Sequence, residues 1–314
     1  MTPFVMMRPR PIAAVLVIVA ALAGPVSVVR AQARDGVPTP ITSIACTSCA
    51  EWNAPQAPVR LFGNTYFVGP HGLSAILVTS PQGHALVDAA LPQSAPLIAA
   101  HIRALGFRLE DVKIIAFSHV HYDHAGGVAE LQRLTGAAVV ASPIAAQAMR
   151  AGASGPDDPQ FGELPPISAL RTVRELVDGE VVRVGPLALT VHFTPGHTPG
   201  GTSWSWRACE GAVCRDIVYA DSQSPISAER FRFTDNATYP AALADFARGL
   251  ATLEQLPCDI LLTPHPDASG LWQRVAKRES GDANALVDAR ACMEFVAAAR
   301  RRVAERVAKE QAAR

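Results

Sequence analysis

Most of the chain alternates short aliphatic and β-branched runs with clusters of turn-forming residues, the pattern of strands joined by tight connections. Runs at 59–62, 65–68, 73–79 and 84–88 are separated by Gly63-Asn64, Gly69-Pro70 and Pro81-Gln82-Gly83, which predicts meandering hairpins. The spacing then becomes helical over 94–105, with Leu97, Ile98, Ile102 and Leu105 on one side. A buried strand is expected at 112–117, running directly into the polar loop 118–124. Gly126-Gly127, a helix over 128–134 and a strand over 137–141 follow. Residues 151–166 hold four prolines, three glycines and several acids or amides, as expected of a surface loop bordering a site. The second half repeats the scheme: strands at 180–184 and 187–193, a loop at 194–201, strands at 202–207 and 217–220, a helix over 241–256, a strand at 260–263, and a closing basic helix. Two halves of strands followed by helix pack most simply as sheet on sheet with helices outside.

The first residues follow a different rule. Arg8 and Arg10 precede an apolar run from Ile12 to Ala23, then Gly24-Pro25 and the small-residue pattern Ala31-Gln32-Ala33. This order predicts a secretory signal peptide over 1–33, because a dozen apolar residues fall short of the roughly 20 needed to span a bilayer. Residues 34–58 are rich in Pro, Thr and Ala and are expected as an extended arm, so 34–314 is expected to carry a single domain. Cleavage removes Arg8, Arg10 and Arg30 and no acid, leaving 25 basic against 28 acidic side chains. No basic excess remains to meet a nucleic acid.

Six cysteines in an exported chain suit three disulfides. Cys209 and Cys214 flank a glycine-containing turn, as in a stapled hairpin. Cys258 precedes the run Ile260-Leu261-Leu262, and a bond to Cys292 would tie the last helix to the sheet. Cys46 and Cys49 form a C-x-x-C. No second C-x-x-C accompanies it, so a local disulfide is favoured over a redox pair or half a zinc knuckle.

The chemistry gathers on histidines. Ser118-His119-Val120-His121-Tyr122-Asp123-His124 directly follows a predicted buried strand. His119 and His121, two apart, point the same way in extended backbone, and a turn can return Asp123 and His124 over the same space. Imidazole and carboxylate donors at a strand end suit zinc. His197 lies in Thr194-Pro195-Gly196-His197-Thr198-Pro199-Gly200-Gly201, and His265 stands between Pro264 and Pro266 after another strand. Beside the cluster both are expected ligands, and six donors imply two metals. His71, His84, His101 and His192 are expected in structural or surface roles.

The H-x-H-x-D-H run, the later Gly-His-Thr-Pro-Gly-Gly and the Pro-His-Pro resemble the metallo-β-lactamase superfamily, over nearly the whole chain from Val59 onward. Several stretches look like class B β-lactamases of subclass 3: Phe62-Gly63-Asn64-Thr65-Tyr66, Val78-Thr79-Ser80-Pro81-Gln82-Gly83, Tyr219-Ala220-Asp221-Ser222 and Leu262-Thr263-Pro264-His265-Pro266. The resemblance implies an α/β fold of the αββα sandwich type with two zinc ions at one edge. His119, His121 and His197 would hold the first, and Asp123, His124 and His265 the second. Ser222 and Ser224 would hold the substrate carboxylate. A register shift of one would instead make Asp221 a bridging ligand, as in glyoxalase II-like thioesterases. Asp88 fits the family's strand-end aspartate, with Ala89-Ala90 in place of the usual glycine pair.

The implied activity is zinc-dependent opening of the β-lactam amide in penicillins, cephalosporins and carbapenems, conferring antibiotic resistance. Asp123 would orient the bridging hydroxide that attacks the ring. No Ser-x-x-Lys supports a serine nucleophile. A lactonase or glyoxalase II-like thioesterase uses the same metals and is the alternative, a zinc nuclease fits the charge poorly, and a non-catalytic zinc-binding protein has no need of a water-steering aspartate. The expected enzyme is periplasmic and monomeric, with a small-molecule β-lactam as its partner and no membrane contact after cleavage.

Overall fold

Twelve strands and seven helices are found among the described residues of this computed structural model, which are Met1 and residues 40–313. The signal-peptide reading of 1–33 and the start of the arm lie outside them. In chain order the elements are α1 (Cys49–Trp52), β1 (Val59–Phe62), β2 (Thr65–Phe67), β3 (Ile76–Val78), β4 (His84–Val87), α2 (Ala95–Ala104), β5 (Val112–Ala116), α3 (Val128–Thr135), β6 (Ala138–Ala141), α4 (Pro143–Ala151) and β7 (Arg174–Glu175). The second half supplies β8 (Val181–Val184), β9 (Leu187–Phe193), β10 (Thr202–Glu210), β11 (Val213–Tyr219), α5 (Ala242–Gln255), β12 (Ile260–Leu262), α6 (Leu271–Glu279) and α7 (Ala291–Ala312).

The strands form two sheets, ordered β1-β2-β3-β4-β5-β6-β7 and β12-β11-β10-β9-β8. Strands joined by tight turns pair antiparallel, from β1 to β4 and from β8 to β11, while β4 through β7 and the β11–β12 pair run parallel. Parallel neighbours require crossovers, and α2, α3, α4 and α5 lie in them.

The alternation of side chains sorts the core into layers. Ile76 and Val78 of β3 point between the sheets, meeting Val191, Trp204 and Tyr219 in one apolar cluster. Leu77, between them in sequence, faces the other way and joins Ile98, Ile102, Val128 and Met149 of the first helical layer. On the far side, Val218, Ala220 and Leu261 pack against Leu250, Leu253, Phe295 and Val296 of α5 and α7. The result is the expected αββα sandwich.

Three local differences have physical causes. α4 has no counterpart among the expected helices, although Ser142 caps it by accepting from the Ala145 N–H and Pro143 occupies its first turn. The expected single closing helix is two, α6 and α7, broken at Ser280-Gly281. The arm is not uniformly extended: α1 carries Trp52 onto the rings of His265 and Tyr122, with centroids 5.2 and 6.3 Å away.

All three expected disulfides are present: Cys46–Cys49, Cys209–Cys214 and Cys258–Cys292. The last closes a separation of 34 residues, which in the chain-entropy account contributes about 3–4 kcal/mol. It pins α7 to the chain just before β12. Intact-mass analysis of oxidised protein, alkylated without reduction, is expected to show no label at any cysteine. Labelling at Cys258 or Cys292 would refute that bond.

Candidate metal centre

Where β4 and β5 end side by side, the chain leaves the ladder in both strands at once. Ser118 donates its N–H and its hydroxyl to the two oxygens of Asp88, at 2.6 and 2.9 Å, and Tyr219 donates its phenol to the same carboxyl at 2.6 Å. Asp88 and Ala90 both have left-handed backbone, at φ 62° and 54°. Burial pushes the Asp88 carboxyl up, against the opposing pull of nearby His124 and of these donors. The turn through Asp88 throws the chain clear of the sheet and opens the floor of the site.

The histidine run closes over that floor as a turn. The N–H groups of His124 and Ala125 both donate to the His121 carbonyl, at 3.1 and 2.8 Å. This brings Asp123 and His124 back over His119 and His121, as the spacing predicts. Gly127 is required where the turn meets the Ala89 carbonyl oxygen, which a Cβ would strike.

The second sheet is stitched to this edge by hydrogen bonds. Thr202 donates its N–H to the Ser118 carbonyl at 2.8 Å and its hydroxyl to the Phe117 carbonyl at 2.9 Å. Ser74 donates to the carbonyls of Thr263 and Pro264. His197, after β9, and His265, after β12, are thereby held against the residues that follow β5.

The six predicted donors form two groups, His119-His121-His197 and Asp123-His124-His265, with the ligand atoms of each group within 4.8 Å of one another. Only His265 is partly open to solvent. In the first group the ring centroids of His119 stand 4.5 Å from His121 and 4.8 Å from His197. In the second, Nε2 of His124 and of His265 both face Asp123 Oδ2, at 3.1 and 3.4 Å.

Each ring of the first group has one nitrogen occupied from behind. His119 Nδ1 donates to Asp221 Oδ1 at 2.8 Å, His121 Nε2 to Asp158 Oδ2 at 2.9 Å, and His197 Nδ1 to the Ser224 carbonyl at 2.8 Å. Such contacts fix the tautomer. Lone pairs are left on His119 Nε2, His121 Nδ1 and His197 Nε2. His119 Nε2 is fully buried and has no hydrogen-bond partner.

The electrostatics favour a cation. Asp88, Asp123, Asp158 and Asp221 are all buried, and the ion-pair partners they have are histidines. Burial, with crowding by His121, His124 and His197, holds His119 well below the usual imidazole value. Burial and His121 lower His197 to about 3. These rings stay neutral at pH 7, the form that ligates metal. Burial would raise Asp123, but His124 and His265 hold it well below the carboxylate range, so it stays charged. Burial first, then the charge of Asp88, pushes Asp221 well up. An unpartnered buried imidazole nitrogen, converging neutral rings and an excess of buried carboxyls together form a metal-binding site.

Asp221 thus sits behind His119 and outside both groups, rather than bridging them. Ser222 and Ser224 line a cavity of about 370 Å³ together with His265 and Arg302. Asp158 has no sequence signal of its own beyond its place in a loop expected to border a site. The four remaining histidines stand apart: His71 stacks on Trp272, His84 packs edge-on to Phe107, His101 bonds the Val68 carbonyl, and His192 bonds Ser205.

Residues 68–287 match the family model described as the metallo-beta-lactamase superfamily. MEM-A1, a subclass B3 metallo-beta-lactamase isolated from a soil metagenome library, is 50% identical, with a TM-score of 0.82 over 84% of this chain and 100% of its own. SMB-1, crystallised in a complex with mercaptoacetic acid, is 43% identical, with a TM-score of 0.79 over 82% of this chain and 99% of its own. Among curated proteins, the hydroxyacylglutathione hydrolase of Bradyrhizobium sp. (strain ORS 278) is 30% identical over 145 residues, 46% of this chain. The match spans about half, 47%, of that relative's length. By the family model, and by likeness to solved subclass B3 enzymes along their full length, the chain belongs to the metallo-β-lactamase superfamily.

Proposed function

We propose that this protein is an exported β-lactamase of subclass B3 that hydrolyses the β-lactam amide with two zinc ions. One is assigned to His119, His121 and His197 and the other to Asp123, His124 and His265. The observation that carries the reading is the convergence of the two donor groups beside the cavity lined by Ser222 and Ser224. The half-length match to thioesterases supports the alternative less, and Asp221, the residue a bridging role would need, is engaged behind His119. Three disulfides and the N-terminal pattern agree with passage to an oxidising periplasm.

When bound, the zinc pair would supply a hydroxide nucleophile at neutral pH and a Lewis acid for the carbonyl. The chain does the rest. Ser222 and Ser224 offer hydroxyls to the substrate carboxylate at the cavity wall. Asp123, charged at neutral pH, accepts a hydrogen bond from the attacking oxygen and aims it at the amide carbon. Asp88 holds the Ser118 backbone, so the histidine run keeps its shape while the substrate is bound. Trp52 packs its ring against His265 at one side of the site.

Three outcomes are expected. With the protein from residue 34 onward, a panel of chromogenic cephalosporin, carbapenem, acyl-homoserine lactone and glutathione thioester should rank the two β-lactams first in kcat/KM. A thioester in first place would transfer the assignment to the alternative. A strong chelator should abolish carbapenem hydrolysis while serine-directed inhibitors leave it intact, and activity surviving complete metal removal would end the zinc reading. Asp123→Asn keeps the size but removes the negative charge and the acceptor. It should lower kcat by about 10²–10⁴-fold, more than it raises KM, and take zinc content from near two per chain towards one. Near-normal turnover with two zincs would mean that Asp123 neither holds the second ion nor aims the attacking oxygen.

A further inference from the structure

Residues 154–163 form a loop that leaves α4, passes the first histidine group and is bonded on both flanks. On one flank Ser154 donates to the Val120 carbonyl at 3.2 Å, and His121 Nε2–H donates to Asp158 Oδ2 at 2.9 Å. On the other, the Ala228 N–H donates to the Pro159 carbonyl at 2.8 Å and the Glu229 N–H to Glu163 Oε1 at 3.1 Å. Asp158 is nearly solvent-free, at 5% exposure, and its second oxygen accepts the Gln160 N–H at 2.8 Å, which fixes the carboxylate plane. The 222–231 segment that receives the loop also carries Ser224, whose carbonyl orients His197. Two of the three rings in the first group are therefore aimed by one continuous set of contacts running His121–Asp158–Pro159–Ala228 and back along the chain to Ser224–His197.

We propose that Asp158 is a positioning residue for the first metal ion: it sets the His121 ring so that Nδ1 faces the ion, and it couples order in the 154–163 loop to metal occupancy. The inference rests on the zinc reading of the site. The physical reason lies in the geometry of a ring held at one end. Without a partner at Nε2, His121 can rotate about its side-chain bonds and exchange tautomers, so that a lone pair no longer points at a fixed place. A carboxylate at Nε2 removes both freedoms. His119 is held by the Asp221 side chain, two residues past the end of β11, and His197 by a backbone carbonyl, whereas the partner of His121 comes from the 154–163 loop. The coupling is reciprocal: whatever the loop contributes to holding the ion, the ion returns to holding the loop.

The test compares wild type, Asp158→Asn and Asp158→Ala by zinc titration against a chromophoric chelator, by backbone amide exchange over 154–163 with and without zinc, and by the Tm of the zinc-free forms. The first-group binding step is identified as the one that survives in Asp123→Asn. Asp158→Ala should weaken that step by about 10–100-fold, the span typical of such supporting contacts, and leave the other step unchanged. Asp158→Asn, which keeps an acceptor oxygen but no charge, should lose less. Zinc should slow exchange across 154–163 in wild type and fail to do so in Asp158→Ala. A lower zinc-free Tm with both binding steps intact would make Asp158 merely structural and overturn the inference, as would wild-type exchange indifferent to zinc. A wild type that takes up no zinc at all would overturn the metal reading, and this inference with it.

Discussion

Five imidazoles and four carboxyls are buried at one edge of the two sheets, or nearly so, and the rest of the molecule is arranged around keeping them there. Polar groups removed from water need partners. Here each ring of the first group has one partner supplied from behind, from Asp158, Asp221 or the Ser224 carbonyl, and one lone pair left facing inward. The carboxyls respond differently: burial pushes Asp88 and Asp221 up, while neighbouring imidazoles hold Asp123 and Asp158 down. The sandwich supplies the rigidity that lets such a cluster persist. Strands end in register at one edge, the cross-sheet bonds of Thr202 and Ser74 lock the two halves, and Gly127 admits a backbone contact no larger residue would allow.

The donors come from both sheets. His119, His121, Asp123 and His124 follow β5 of the larger sheet, while His197 and His265 follow β9 and β12 of the smaller. An ion held by either group therefore ties one layer to the other, and part of its binding free energy is returned as stability of the fold. The Cys258–Cys292 bond does the corresponding work on the far side, where α7 covers the smaller sheet.

Much of this is legible in the chain because the informative signals are local. The H-x-H-x-D-H run places four donors within one turn, and the turn observed through the His121 carbonyl is what that spacing demands. His197 and His265 are legible from the glycines and prolines around them, which mark sharp turns after strands. The supports are not. Asp158 lies 37 residues from His121 and Asp221 lies 102 from His119, and nothing in the spacing of an isolated aspartate announces a partner that distant. Asp221 draws notice only through its neighbour Ser222, and its contact with His119 Nδ1, outside both donor groups, has no signal in the spacing. α4 escapes because its buried face is mostly alanine, Ala145 and Ala146 with Met149, while the larger Ile144 is exposed, so residue size does not mark the face, although its Ser-Pro start is readable; β7, with two residues, is too short for any pattern.

Ala90 reverses a familiar rule. Replacing glycine by alanine usually stabilises a protein, because the unfolded chain loses freedom. At φ 54° the native backbone suits glycine and crowds an alanine methyl, a cost of roughly 1–2 kcal/mol. Glycine at this position would relax the turn beside Asp88 without touching any of the six donors.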